Sequence, residues 1–285
     1  ITSCASAASE VGALLAVGIS ALTVSMTSTG QLDSWGWRIP FFVGALLAAS
    51  VWVARSTMHE SPEFERQQRE GTVPAEPIAY ALKHHRTGIV RGFSISALGS
   101  ITYYVGITYV PAFLTSAGAL NERNALWLST IAAVAVILVT PLVGWWSDRS
   151  GRRPVLLALC GASAILPMTM FALMASGSAA RALLGAIILA AVAGGVSAVG
   201  AVATAEQFRG EGRITGLALG ATMATAIFGG LTPWAAQWLV ERTGWHMAPG
   251  AMIALVALCV LPVFLAIQET APEFQSRSSL PRPTP

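Results

Sequence analysis

Charged side chains divide this sequence into eight long apolar runs. Between successive Asp, Glu, Lys and Arg residues lie uncharged stretches at 11–32, 39–54, 92–121, 124–147, 154–180, 182–205, 214–240 and 243–268. All but 39–54 exceed the roughly 20 residues a helix needs to cross a hydrocarbon core about 30 Å thick. The short run is flanked by Arg38 and Arg55, whose long stems let the charged heads reach the interfaces. Lipid offers the backbone no hydrogen-bond partner, so each run must satisfy its own N–H and C=O groups as a helix. The runs are rich in Ala, Leu, Val and Gly and lack sustained polar alternation, which argues against a β-barrel. The pattern predicts an all-α, polytopic membrane helix bundle of about eight transmembrane helices.

Composition agrees. Only 11% of the residues are charged, against about 25% in a soluble domain, too few to cover a water-facing surface. Eight spans place both ends of the chain on one side. That side collects Arg55, Arg66, Arg69, Lys83, Arg86, Arg91, Arg149, Arg152, Arg153, Arg209, Arg213, Arg277 and Arg282, while the other holds Arg38, Arg123, Arg181 and Arg242. The excess of basic residues marks the first side as cytoplasmic. The expected setting is therefore the cell (inner) membrane, with both ends in the cytoplasm. Trp35, Trp37, Trp127 and Trp245 fall at one interface, and Trp52, Trp145 and Trp146 at the other, as an aromatic belt requires. The pI near 9.0 thus reflects topology and the lipid bilayer as partner, with no nucleic acid implied.

Chemistry-bearing motifs are few. Cys4, Cys160 and Cys259 lie in or beside apolar stretches and read as packing residues. His59, His84, His85 and His246 have no ligand spacing, so no metal is expected. The sequence carries no Walker phosphate loop, no G-x-S-x-G elbow and no H-E-x-x-H helix, so neither an enzyme nor a cofactor is expected. Gly194 and Gly195, Gly216 and Gly220, and Gly229 and Gly230 would let helices approach closely.

A short repeat suggests the organisation. Glu60-Ser61-Pro62-Glu63-Phe64 follows the second run, and Glu269-Thr270-Ala271-Pro272-Glu273-Phe274 follows the eighth. If those two runs are equivalent, runs three to six need four counterparts upstream of Ile1, which gives two six-helix halves. On that reading 1–58 holds the last two helices of a truncated N-terminal bundle. Residues 59–86 are a cytoplasmic linker with a short surface helix from Pro77 to His85, 87–268 form a C-terminal six-helix bundle, and 269–285 are a disordered tail. A fragment lacking four helices of one half is expected to be inactive alone, and the missing N-terminal helices become its partner.

The densest motif is Gly144-Trp145-Trp146-Ser147-Asp148-Arg149-Ser150-Gly151-Arg152-Arg153-Pro154. It joins two runs by a very short turn, with Gly151 free to adopt a left-handed conformation and Pro154 suited to a first helical turn. Asp148 at the interface can pair with basic groups or a neighbouring helix N-terminus, which would gate a moving bundle. Equally, three arginines and a tight turn serve to hold the loop inside. Among intramembrane candidates, Glu10 opens the first run as either a proton-coupling carboxylate or an interfacial one. Tyr103, Tyr104 and Tyr109 offer hydroxyls for substrate. In a regular helix, steps of about 100° send Tyr103 and Tyr109 to different faces, and Pro111 is placed to kink this span.

The long motif resembles the G-x-x-x-D-R-x-G-R-R signature of the major facilitator superfamily, with Gly144, Asp148, Arg149, Gly151, Arg152 and Arg153 in place. More narrowly, Trp35-Gly36-Trp37-Arg38-Ile39-Pro40-Phe41, the Glu60–Phe64 string, Tyr103-Tyr104…Tyr109-Val110-Pro111, Glu206-Gln207-Phe208 with Arg213-x-Thr215-Gly216, and Phe228-Gly229-Gly230-Leu231-Thr232-Pro233 are similar to the metabolite:proton symporter family. The resemblance implies helices 5–12 of a twelve-helix fold. It also implies proton-coupled symport of a small polar metabolite, an organic acid or zwitterion, by alternating access. Departures exist: Phe208 is followed by Arg209 where the family more often has Pro, and Ala221-Thr222-Met223-Ala224 stands where a Tyr-Asn pair is common. The competing readings are a non-transporting membrane sensor or assembly protein, and a facilitator without proton coupling. Under the carrier reading, Asp148 and Arg149 would close contacts with neighbouring helix ends such as Glu206 or Arg213.

Overall fold

The computed structural model describes residues 2–58, 60, 62–117, 120–208 and 210–270, and all regular structure among them is helical. Contacts divide the chain into a unit Ser9–Ala75 and a larger one that takes in the chain from Glu76 on. The division falls inside the polar segment 59–86.

The smaller unit is built on α1 (Thr2–Met26), α2 (Thr29–Ser34), α3 (Ile39–Ser56) and the polar α4 (Pro62–Glu70). Gln31 reaches back to accept from the Ser28 N–H at 3.1 Å and fixes the start of α2. A single 3-10 turn, Gly36–Arg38, leads into α3, where Pro40 occupies the first turn. Arg38 stacks over the Trp37 ring at 4.3 Å. Both long helices leave large apolar side chains exposed, among them Leu15, Leu22, Phe41, Leu46 and Trp52. Such a surface suits a lipid setting and not water.

The larger unit begins with α5 (Pro77–His84), one residue shorter than the sequence suggests, followed by α6 (Arg86–Tyr103) and a π-helical turn, Tyr104–Thr108. Then come α7 (Val110–Ser116), α8 (Glu122–Ser150), α9 (Arg152–Met174) and α10 (Ala179–Glu206). The seventh apolar run folds as α11 (Arg213–Leu217), a π turn (Ala218–Thr222), α12 (Met223–Thr225), a second π turn (Ala226–Gly230) and α13 (Thr232–Thr243). The chain reaches α14 (Ala248–Ala266) last.

Six described helices are long and apolar enough to cross a membrane, and a seventh results when α6 and α7 are joined through their 44° bend. Val110 and Pro111 open α7, so the missing proline N–H coincides with the break. The first run contributes only the shorter apolar stretch Leu14–Met26. α10 is the central helix, with 67% of its apolar window buried, and it packs on α6, α8 and α9, while α14 packs on α9 and α6.

Small residues make these approaches possible. A Cβ on Gly194 would lie 2.8 Å from Val136 of α8, one on Gly195 2.9 Å from Leu159 of α9, and one on Gly220 3.0 Å from the Ile89 carbonyl of α6. Gly216 abuts Phe208 and Gly229 abuts Tyr104, whereas Gly230 faces open space. The tightest crossing is Gly250 of α14, whose absent Cβ would stand 2.6 Å from the Met168 backbone. At one end of the bundle Phe113 meets Phe171 edge-on at 4.9 Å, both fully buried.

Candidate functional site

The turn between α8 and α9 is one residue long. Gly151 takes φ +97, donates its N–H to the Ser147 carbonyl at 3.1 Å, and lets α9 start at once with Arg152. The first N–H groups of α9 have no partner within their own helix. Glu269, just beyond α14, supplies one: its two carboxylate oxygens accept from the Arg152 N–H at 2.7 Å and the Arg153 N–H at 3.0 Å. A carboxylate at this position also meets the positive end of the helix dipole.

The Arg152 side chain is 9% exposed and joins three elements. Its Nη1 donates to Ser147 Oγ at 3.1 Å and to Asp148 Oδ1 at the end of α8. Its Nε stands 3.7 Å from Glu206 Oε1 at the end of α10, an ion pair without a hydrogen bond. The other Glu206 oxygen accepts from Thr270 Oγ1, and Thr270 donates its N–H to Glu269. Arg153 reaches the Leu265 carbonyl at 2.7 Å. The ends of α8, α9, α10 and α14 are thus tied through Arg152, Glu206 and Glu269.

This differs from the contacts the sequence suggests. The Asp148 side chain is 58% exposed and pairs with Arg152 at the start of α9, not with Glu206 or Arg213. Arg149 lies over the Trp145 ring at 4.1 Å. Arg213 is exposed at the start of α11, and Gly144 is buried inside α8. The cross-bundle contact to Glu206 belongs instead to Arg152, which is buried at the start of α9, whereas Asp148 and Arg149 at the end of α8 are exposed. Glu269 and Thr270 escaped sequence reasoning although their signal was present: they open the second copy of the Glu60-Ser61 repeat.

Gly151→Ala is expected to displace Glu269. The residue would hold a strained backbone, and its Cβ would sit inside the contact distance of the Glu269 carboxylate. A loss of about 2 kcal/mol should appear as a lower unfolding midpoint in detergent. An unchanged midpoint would show that the turn relaxes without cost.

Next to this cluster, α5 and the following His85 dock on Glu211 and Gly212. His85 Nε2 lies 2.7 Å from the Glu211 carbonyl, Tyr80 donates to the Glu211 carboxylate at 3.4 Å, and Phe208 fills the space left by Gly88, Gly92 and Gly216.

A cavity of about 340 Å³ opens between α6, α10 and the α11–α12 stretch. Ser96 and Ser100 of α6, Ser197 and Thr204 of α10, and Thr225 line it, with no charged or aromatic side chain among the lining residues. Ser100 and Thr225 hydrogen-bond at 3.0 Å across it. The sequence held a clue in the helical spacing of Ser96 and Ser100 and of Ser197 and Thr204, but uncharged hydroxyls in apolar helices draw no attention.

None of the three tyrosines lines this cavity. Tyr109 is buried and donates to Gln237 of α13 at 2.8 Å, and Gln237 in turn donates to Glu241. Tyr104 packs its ring on Gly229, and Tyr103 lies edge-on to Tyr104 at 5.7 Å. The Glu10 side chain lies outside the described residues.

These features can be set beside known proteins. A model of the Major Facilitator Superfamily matches residues 114–284. The chain belongs to that superfamily. Among its superfamily relatives is the ectoine/proline transporter ProP of Corynebacterium glutamicum, 27% identical over 288 residues, which cover 95% of this chain and 56% of that protein. The citrate-proton symporter of Klebsiella pneumoniae is 26% identical, over 91% of this chain and 58% of its own length. The proline/betaine transporter of Escherichia coli K12 is 28% identical, over 92% and 54%. The chain therefore spans about half the length of the curated relatives it matches. Among solved structures, the proton:xylose symporter XylE superposes with a TM-score of 0.70 at 19% identity, over 94% of this chain and 64% of that one. That likeness shows the superfamily fold.

Proposed function

We propose that this chain is the C-terminal part of a proton-coupled secondary transporter in the cell (inner) membrane. It carries a small polar metabolite, an organic acid or a zwitterion, by alternating access. In this reading the two ends of the chain and the α8–α9 turn face the cytoplasm, and the superfamily's other helices complete the solute site.

The observation that carries the reading is the Arg152–Glu206–Glu269 cluster. It concentrates ionic contacts at a one-residue turn, where a rocking bundle must keep its helix ends aligned while opening a path. Contacts of this kind can be made in one state and weakened in another, and only such differential contacts bias a two-state equilibrium. The relatives named above for ectoine, proline, betaine and citrate support the solute class.

The test is uptake by the full-length carrier in sealed proteoliposomes, with proline, glycine betaine, citrate and 2-oxoglutarate as solutes and an imposed proton gradient. Accumulation that follows the gradient supports symport. Equilibration that ignores it leaves a facilitator, and no uptake of any solute leaves a non-transporting membrane protein. In the same assay Glu269→Gln keeps size but removes the charge that caps α9. Net uptake should fall about tenfold, matching a coupling of about 1.4 kcal/mol, with membrane insertion unchanged. Full activity in this variant would remove the cluster from the mechanism.

A further inference from the structure

The cavity between α6, α10 and α12 has a chemistry that narrows the solute. Helical Ser and Thr hydroxyls commonly fold back on the carbonyl one turn earlier, as Ser94 does on Val90 and Thr102 on Leu98. Among the described residues, the hydroxyls of Ser96, Ser197 and Thr204 make no such bond, and all three border the cavity. Ser100 and Thr225 spend one proton on each other, which leaves a second donor and several lone pairs between them. The wall is therefore an apolar surface, with Ile95, Val196 and Leu217 among its residues, into which uncharged hydrogen-bonding groups are set.

Two classes of ligand group fit poorly. An ionised carboxylate pressed against this wall would lose water without meeting a cation, a steep cost in an apolar setting. A quaternary ammonium is recognised by aromatic faces, and no ring lines the cavity. A hydroxyl or oxo group gains instead: a hydroxyl can donate or accept, and an oxo group can accept, at the hydroxyls of this wall, where Ser100 and Thr225 stand together. At about 340 Å³ the space also lies within the range of small-molecule pockets. Thr204 and Ala205 of the wall directly precede Glu206 of the ionic cluster, so an occupant rests on the same helix end that Arg152 holds.

We propose that this wall is a neutral subsite for the hydroxyl or oxo group of a hydroxy- or oxo-acid, whose carboxylates are met by charges outside the wall. The proposal rests on the transport reading above and narrows it to acids that carry a hydroxyl or oxo group.

The full-length carrier in proteoliposomes tests it with paired probes that differ by one hydroxyl: citrate against tricarballylate, and L-malate against succinate. The wild type should favour the hydroxylated member of at least one pair by tenfold or more in kcat/KM, since a site built for a hydroxyl leaves buried partners unpaired without it. Ser100→Ala with Thr225→Val should bring that ratio near one. Ser100→Ala with Thr225→Ser, which returns one hydroxyl and matches the first variant in folding risk, should recover part of it. Equal handling of both members by the wild type overturns the proposal. So does a ratio that survives the double substitution, or uptake of glycine betaine with neither acid pair carried. Failure to move any solute strikes the transport reading itself.

Discussion

Arg152→Ala is expected to cost the chain about 3 kcal/mol, because it removes the cation from a nearly dry junction of three helix ends. Arg152 holds Ser147 and Asp148 of α8 and faces Glu206 of α10 from the first residue of α9. The Asp148 contact contributes little of this, since that carboxylate is more than half exposed and solvent screens it. The larger loss comes from Glu206, three-quarters covered, which among the described residues keeps only the Thr270 hydroxyl as a partner. Denaturant titration of the detergent-solubilised protein measures the effect. Arg152→Lys should retain part of the stability, as a point charge without the guanidinium's fork. If Arg152→Ala unfolds within 0.5 kcal/mol of the wild type, on the scale of an ordinary surface change, the cluster does not hold these ends together.

A second large effect is expected at Gly250→Ala. One methyl group would meet the Met168 Cα and N at 2.6 Å, and these are backbone atoms that cannot rotate aside. α14 must then move off α9, and overpacking of this kind costs about 1–3 kcal/mol, here the upper end. Gly161→Ala on α9 provides the control. Its Cβ would meet nothing within 4 Å, so the better helix propensity of alanine should leave stability equal or raise it by up to about 1 kcal/mol. Thermal unfolding of both variants decides the matter: similar midpoints would mean the α9–α14 crossing can spread freely.

The bundle was largely legible because charge in a membrane protein is confined to span ends. Arg91, Glu122, Asp148, Arg181, Glu206 and Glu241 marked the limits from sequence alone, and the short run at 39–54 became a full span once Gly36–Arg38 joined it. The α8–α9 turn was equally visible, since Gly151 and Pro154 have local conformational reasons to be there. Pairing across the bundle was not visible. Glu269 meets Arg152 across 117 positions of sequence, and no local rule couples an α14 end to an α9 start. The three tyrosines were placed on a regular helix that the π turn at Tyr104–Thr108 replaces. The hydroxyl cavity stayed hidden because it is assembled from three separate helix faces, each unremarkable by itself.

That π turn makes chain length in this span a rotational setting. A π turn closes its hydrogen bonds over one more residue than an α turn, so whatever follows it is set back by the roughly 100° that one residue contributes to a helix. Tyr109, the residue directly after that turn, donates to Gln237 from this shifted phase. The two π turns at Ala218–Thr222 and Ala226–Gly230 set the phase of α13, which carries Gln237, in the same way. Two screws are thereby cut so that their threads meet at one hydroxyl. Substitution can vary the side chains along them without disturbing the mesh. Gain or loss of a single residue within either span turns everything beyond it unless a π turn opens or closes to absorb the change.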